Sequence, residues 1–281
     1  MMRIIQKIVK SPYFPIVLFP VILFATILFT GKALFWGTPS TQFVPWWDFA
    51  WRSIFAGKIP IWNPLLGMGA PLGANYQSAL FYPPYWLYGI FYYLGGVEWL
   101  AWSMTIMVVF HLVWAGIGTA RLLEDIGIGD LGKIVGGLAY SLSGYLVARA
   151  GFLSINSTVA WIPWLLLYGR QLAFQKERTL PKTGLIIAML LLAGHAQTAW
   201  YGLLLGIIWT SFWGSENKGT RTCLIGIVQS GARYALACLL GVGLSMIQLL
   251  PTAEYLFQSA RAAEYGYQQA MTYSYWPWRF L

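Results

Sequence analysis

The chain has little charge. Only 10% of its 281 residues are Asp, Glu, Lys or Arg, and 58% are hydrophobic, with a mean hydropathy of +0.60. A soluble domain carries roughly a quarter charged residues, so this scarcity excludes a water-soluble enzyme and a disordered tail. Cysteine is almost absent. Cys223 and Cys238 lie in or near apolar runs, which excludes a disulfide framework and a zinc site. No Gly-rich phosphate loop, metal-ligand cluster or Ser-His-Asp arrangement occurs. Acidic residues number 9 against 18 Lys and Arg. Without a Lys/Arg-rich run or nucleic-acid motif, that excess reads as positive charge in cytoplasmic loops and excludes nucleic acid as a partner.

What the chain has in quantity is long uncharged apolar runs. A helix needs about 20 apolar residues to cross a bilayer. A first run ends near Thr30 and follows Arg3, Lys7 and Lys10. No small-residue cleavage site follows it, so it reads as an uncleaved anchor with its N-terminus inside. Further runs cover 99–120, 134–148 and 150–169, the last two divided by Arg149. The run 183–214 would make a helix about 48 Å long at 1.5 Å per residue. Gly194-His195-Ala196-Gln197 interrupts it, which predicts two short helices turning outside. A last run spans 234–250, after which Pro251 begins a polar tail over 252–281. The expected fold is all-α: a single polytopic transmembrane bundle over 1–281, with about seven spans and a long first extracytoplasmic loop carrying interfacial helices.

That first loop, 37–98, is rich in aromatic residues, glycine and proline. Pro45 suits the first turn of a helix and Gly57 its end, giving a segment too short to span and fit to lie in the membrane interface. Asp48 and Arg52 are four apart, hence on one face of it. They make either a solvated ion pair or a catalytic carboxylate beside a cation. Further on, Gly67, Gly69, Pro71, Gly73, Pro83 and Pro84 predict a tightly turned loop.

Several stretches carry a resemblance. Gly57-Lys58-Ile59-Pro60-Ile61-Trp62-Asn63-Pro64, Gly69-Ala70-Pro71, Asn75-Tyr76-Gln77-Ser78 and Phe81-Tyr82-Pro83 occur in order. Ser143-Gly144-Tyr145, Gly194-His195-Ala196-Gln197-Thr198, Gln248-Leu249-Leu250-Pro251-Thr252 with Glu254, and Ser259 with Arg261 follow. Together they resemble the YfhO-like bacterial membrane proteins, a family similar to the multi-spanning GT-C glycosyltransferases. The resemblance implies a bacterial plasma-membrane protein with a cytoplasmic N-terminus. It also implies transfer of a sugar from a polyprenyl-phosphate carrier to a cell-envelope acceptor, a glycan or teichoic-acid-like polymer, on the outer face. An acidic residue of the first outer loop would serve as base or acceptor-positioning group. Many relatives have Gly-Asp where this chain has Gly37-Thr38, which leaves Asp48 as the substitute. Relatives are also longer, so the 281 residues resemble an N-terminal portion.

Such a transfer needs a carboxylate to deprotonate the acceptor, and a cation, a divalent metal or an arginine, at the leaving phosphate. Asp48 is the expected catalytic residue. Arg52, Arg149 and Arg261 are candidates for the phosphate, and Glu254, His195 and Gln197 for further substrate contact. Arg149 reads equally as a snorkelling interface residue, His195 as a turn cap, and Glu254 with Arg261 as an anchoring pair. His111, mid-span, reads as a hydrogen-bonding partner between helices. Asn156-Ser157-Thr158 fits a glycosylation pattern but lies beside a span. A transporter or flippase for a lipid-linked glycan, and a non-catalytic scaffold, are the competing functions. Against the transporter stand the lack of an internal repeat and charges placed at the edges of the runs.

Overall fold

The computed structural model describes residues 11–34, 37–176, 178–216, 220–259 and 271. The protein is all-α, with one two-stranded ribbon among the described residues. Among the described residues three helical segments are long and apolar enough to cross a membrane: Pro83–Ile126, Asp130–Ala148 and Cys223–Gln258. Tyr13–Leu23 and Thr179–Leu192 are shorter apolar helices. Three is fewer than the seven expected spans, because several of the uncharged runs are divided.

Helix α1, Tyr13–Leu23, is followed by a single turn α2, Ala25–Leu28. The interfacial segment expected after Pro45 is α3, Val44–Phe55, entered through a π-helical turn at Pro39–Phe43. Helix α4 covers Tyr88–Ile126 and is broken at Gly95–Gly96. It starts eleven residues before the expected span because the short 3-10 turn Pro83–Leu87 leads directly into it. The two runs flanking Arg149 are four short helices: α5 Asp130–Ser141, α6 Gly144–Ala148, α7 Leu153–Val159 and α8 Ile162–Ala173. Ser143 starts α6 by accepting the Leu146 N–H at 3.4 Å, and Pro163 sits in the first turn of α8, where its missing N–H costs nothing.

The run 183–214 forms α9, Thr179–Leu192, and α10, Ala196–Gly214. They are two helices, as the overlong run predicts. Helix α11, Thr220–Gln258, corrects the sequence reading at its end: it continues through Pro251 for two more turns. The tail was expected to begin there. Gln248 and Thr252, at positions i and i+4 either side of the proline, are hydrogen-bonded to each other and to the first loop, which holds the helix together across the missing donor.

Helix α4 lies at the centre, packed by α1, α5, α7 and α8, while α9, α10 and α11 form the other wall. Around Ile16 the helices approach closely: a Cβ on Gly116 would lie 2.6 Å from Ile16 Cγ2 and 3.2 Å from the Gly137 carbonyl oxygen. Large apolar side chains stand outside this core, among them Leu131, Val228 and Leu239, each at least 69% exposed. Apolar surface on that scale suits lipid rather than water.

The two ends of the bundle differ. At the C-terminal end of α4, Asp125 accepts hydrogen bonds from Arg170, Gln171 (3.1 Å) and Lys176 (2.7 Å). Glu124 beside it meets Arg121 at 3.0 Å and the Tyr13 hydroxyl at 2.8 Å. At the opposite end of α4, the first loop folds over the bundle.

Candidate functional site

The first loop is tied down by side chains rather than by regular structure. Trp47 of α3 donates through Nε1 to the Ser78 carbonyl at 3.2 Å and packs edge-on against Tyr85 and Tyr88. Trp62–Asn63 and Ala70–Pro71 pair as a short antiparallel ribbon. Asn75 caps the 3-10 turn Tyr76–Ser78 by accepting the Gln77 N–H at 3.1 Å.

Tyr82 anchors the loop to the core. Its hydroxyl accepts from Trp161 Nε1 at 2.7 Å and lies 2.7 Å from His111 Nε2. His111 Nδ1 is 2.7 Å from the Met107 carbonyl, which can only accept, so Nδ1 carries the proton and Nε2 receives the Tyr82 hydrogen. His111 is thus a fully satisfied core histidine that joins its helix to the loop.

Two further elements reach this end of the bundle. The α9–α10 turn brings Gly194, at φ +93°, against the loop; a Cβ there would stand 2.9 Å from the Ala79 Cβ and 3.1 Å from the Tyr76 carbonyl oxygen. The Tyr76 hydroxyl donates to the Leu191 carbonyl. From α11, Gln248 Nε2 donates to the Gly73 carbonyl at 3.2 Å, and the Thr252 hydroxyl to the Ala74 carbonyl at 3.0 Å. Loop, turn and helix end enclose a cavity of about 730 Å³.

The wall of this cavity carries no formally charged side chain among the described residues. Its polar groups are the amides Gln42, Asn63, Asn75, Gln77 and Gln197, the hydroxyls of Tyr76, Thr252, Tyr255 and Ser259, and His195, with Trp46 adding aromatic surface. His195 caps α10: its Nδ1 accepts the Thr198 N–H at 3.2 Å. The neutral ring therefore keeps its proton on Nε2, and His195 presents a donor to the cavity rather than a base. Partial burial holds its pKa below the ordinary histidine range, and the charge of Arg149 lowers it further.

Of the residues singled out in the sequence, His195 and Gln197 line the cavity. Asp48 and Arg52 do not. Asp48 lies two residues beyond Trp46, which turns it about 200° round α3. There it accepts from Arg52 Nε at 3.0 Å and from the Tyr92 hydroxyl at 2.9 Å. Those two hydrogen bonds, Tyr92 foremost, raise the already high pKa of the exposed Arg52. Arg149 is exposed, with its guanidinium carbon 5.1 Å from the Phe152 ring centre and 5.9 Å from that of Tyr145, and its charge reaches His195. Glu254 is exposed on the turn of α11 whose Thr252 and Tyr255 line the cavity, and Gln258 donates to it at 3.5 Å. Arg261 lies outside the described residues. Asn156, Ser157 and Thr158 are buried.

Among the described residues no group of three or more His, Cys, Asp and Glu side chains gathers around a point that would suit a metal ion. The residues that sequence reasoning passed over are Asn63, Asn75 and Gln77. Their signal was a cluster of amides inside a loop rich in glycine, proline and aromatic residues. No family model matches this chain, and no curated protein or solved structure is detectably similar to it.

Proposed function

We propose that this chain is a multi-spanning bacterial membrane glycosyltransferase of the YfhO-like, GT-C type, with about seven spans and the first loop on the outer face. In this reading it takes a sugar from a polyprenyl-phosphate carrier and hands it to a cell-envelope acceptor. The observation that supports it is the cavity at the loop end of the bundle, walled by amides, hydroxyls, an imidazole and aromatic rings. Those groups match sugar hydroxyls, and the apolar helices beside them match a prenyl chain.

Transfer forms a bond from the acceptor oxygen to the anomeric carbon and breaks the bond from that carbon to phosphate. The acceptor's proton goes to a base, and the polyprenyl phosphate leaves with the electron pair. His195 is a poor base because its free nitrogen is already protonated. Glu254, on the α11 turn that lines the cavity, is better placed than Asp48, which faces away from it. Arg149 is the described cation whose charge reaches the cavity wall, and it suits the departing phosphate. A divalent metal there would have to draw ligands from outside the described residues or from the substrate.

The absence of a carboxylate from the described wall also favours a second reading, a flippase or carrier protein that holds a lipid-linked glycan without cleaving it. Proteoliposomes loaded with a polyprenyl-phosphate sugar and supplied with a cell-envelope glycan acceptor separate the two. Wild type should release polyprenyl phosphate, Glu254→Gln should lose that release while still binding the carrier, and Asp48→Asn should retain it. Loss on Asp48→Asn with Glu254→Gln active would restore Asp48 as the base. Carrier crossing the bilayer intact in wild type would establish the second reading.

A further inference from the structure

The cavity contains more recognition chemistry than a sugar-transfer reading requires, and that chemistry has a definite polarity. Asn63 is 4% exposed, and its Oδ1 accepts the Leu65 N–H at 3.0 Å. Its Nδ2 has no protein partner, which leaves a free donor on a residue of the cavity wall. The Gln77 side-chain amide makes no protein hydrogen bond, since only its backbone N–H is used, by Asn75. Gln197 donates through Nε2 to the Tyr201 hydroxyl at 2.8 Å and keeps its carbonyl oxygen free. His195 adds the Nε2–H fixed by its capping role. The wall thus offers free donors and free acceptors side by side, all uncharged.

We infer that the cavity selects an uncharged saccharide, a hexose or N-acetylhexosamine unit, and discriminates against anionic sugars such as uronic acids and sugar phosphates. A hydroxyl both donates and accepts, and it meets this mixed wall with every bond made. A carboxylate or phosphate oxygen only accepts. It would meet the carbonyl oxygens of Gln77 and Gln197 unfavourably, and it would lose its water with no described Lys or Arg in the wall to replace it. The phosphate of a lipid carrier therefore belongs at the rim, outside the cavity. The inference rests on the sugar-handling reading above, but not on whether the sugar is transferred.

The test uses the full chain in phosphatidylcholine nanodiscs, with four soluble probes followed by saturation-transfer NMR or calorimetry. Methyl glucoside and methyl N-acetylglucosaminide should bind. Methyl glucuronide and glucose 6-phosphate should bind at least about tenfold more weakly, the size expected for an anion left without a charged partner. Gln77 is partly exposed, so its variants should fold. Gln77→Ala should weaken the uncharged glycosides about five- to tenfold, one hydrogen bond's worth, and Gln77→Lys should shift preference towards the anions. Anions bound as well as the uncharged probes, no binding of any probe, or an unchanged Gln77→Ala would each overturn the inference. Uncharged glycosides that bind to a chain without transfer activity would defeat the transferase reading alone. Transfer that favours a uronic acid donor would defeat the selectivity alone.

Discussion

Gly194→Ala should be among the most damaging single-methyl changes in the protein. At φ +93° an L-residue sits in left-handed territory, which costs roughly 1–2 kcal/mol. The added methyl would also stand 2.9 Å from the Ala79 Cβ and 3.1 Å from the Tyr76 carbonyl oxygen. Neither neighbour can swing aside, since one is a stub on the loop backbone and the other is backbone itself. Overpacking of that kind adds about 1–3 kcal/mol, so the total is about 2–5 kcal/mol. At about 2–4 °C per kcal/mol for a chain of this size, the melting point in detergent should fall by roughly 4–20 °C. Glycoside binding should fall with it, because Gly194 and His195 line the cavity.

The contact can be separated from the backbone strain. Ala79 itself has φ +51°, a conformation glycine adopts without penalty, so Ala79→Gly alone should change stability little, gained freedom from strain offsetting the lost methyl burial. In the double variant the methyl–methyl contact is gone, while the strain at residue 194 and the contact with Tyr76 remain. The coupling should therefore be about 1 kcal/mol, favourable to the pair. A Gly194→Ala melt within about 2 °C of wild type, or costs that simply add in the double variant, would refute the packing of the α9–α10 turn against the loop.

Two other outcomes are expected. Burial, then Arg149, lowers the His195 pKa, so the stability tied to its neutral capping form is complete above about pH 6.5, the unfolded value, and is lost as pH falls below it. Melting points measured from pH 7.5 to 5 should therefore drop less for His195→Asn, which caps without titrating, than for wild type; equal drops would remove His195 from the acid limb. In a background lacking Cys223 and Cys238, a cysteine at fully exposed Met68 should react with an impermeant thiol reagent on intact cells while one at Glu216, beyond the other end of α10, should not. Labelling of Glu216→Cys would place both ends of the bundle on the same side and break the span assignment.

Local signals in the chain were read correctly where one residue type decides the geometry. Pro45 and Gly57 bracket α3, Asp48 and Arg52 meet at their i,i+4 spacing, and Gly194-His195 divides the overlong run. Hydropathy failed where it averages. A run such as 150–169 has the same composition whether it is one helix or, as here, α7 and α8 with a break at Ala160–Trp161. Pro251 was read as a terminator because a lone sequence does not reveal that Gln248 will be tethered to Gly73, 175 residues earlier. The cavity was illegible for the same reason. Its wall joins residues from Gln42 to Ser259, and no spacing rule connects an amide in a loop to a histidine at a distant helix cap. Asp48 drew attention because it was a lone acid, whereas the groups that do face the cavity are neutral and inconspicuous.

The Asp125 cluster has a consequence for the order in which the molecule is assembled. Arg170 and Lys176 follow their partner by 45 and 51 residues, so as the chain leaves the ribosome Asp125 is made long before either cation exists. Until then the carboxylate has neither cation to pair with. Only when α8 has returned to that end of α4 can the three charges meet, and that meeting closes a loop around α5, α6, α7 and α8. These helices, of 5 to 12 residues, are at or below the length at which an isolated helix is even marginal, about 12–15 residues, and depend on that closure. The cluster therefore acts as a late clasp: synthesis halted before residue 176 should leave the intervening segment open to protease, and release beyond it should protect that segment in one step.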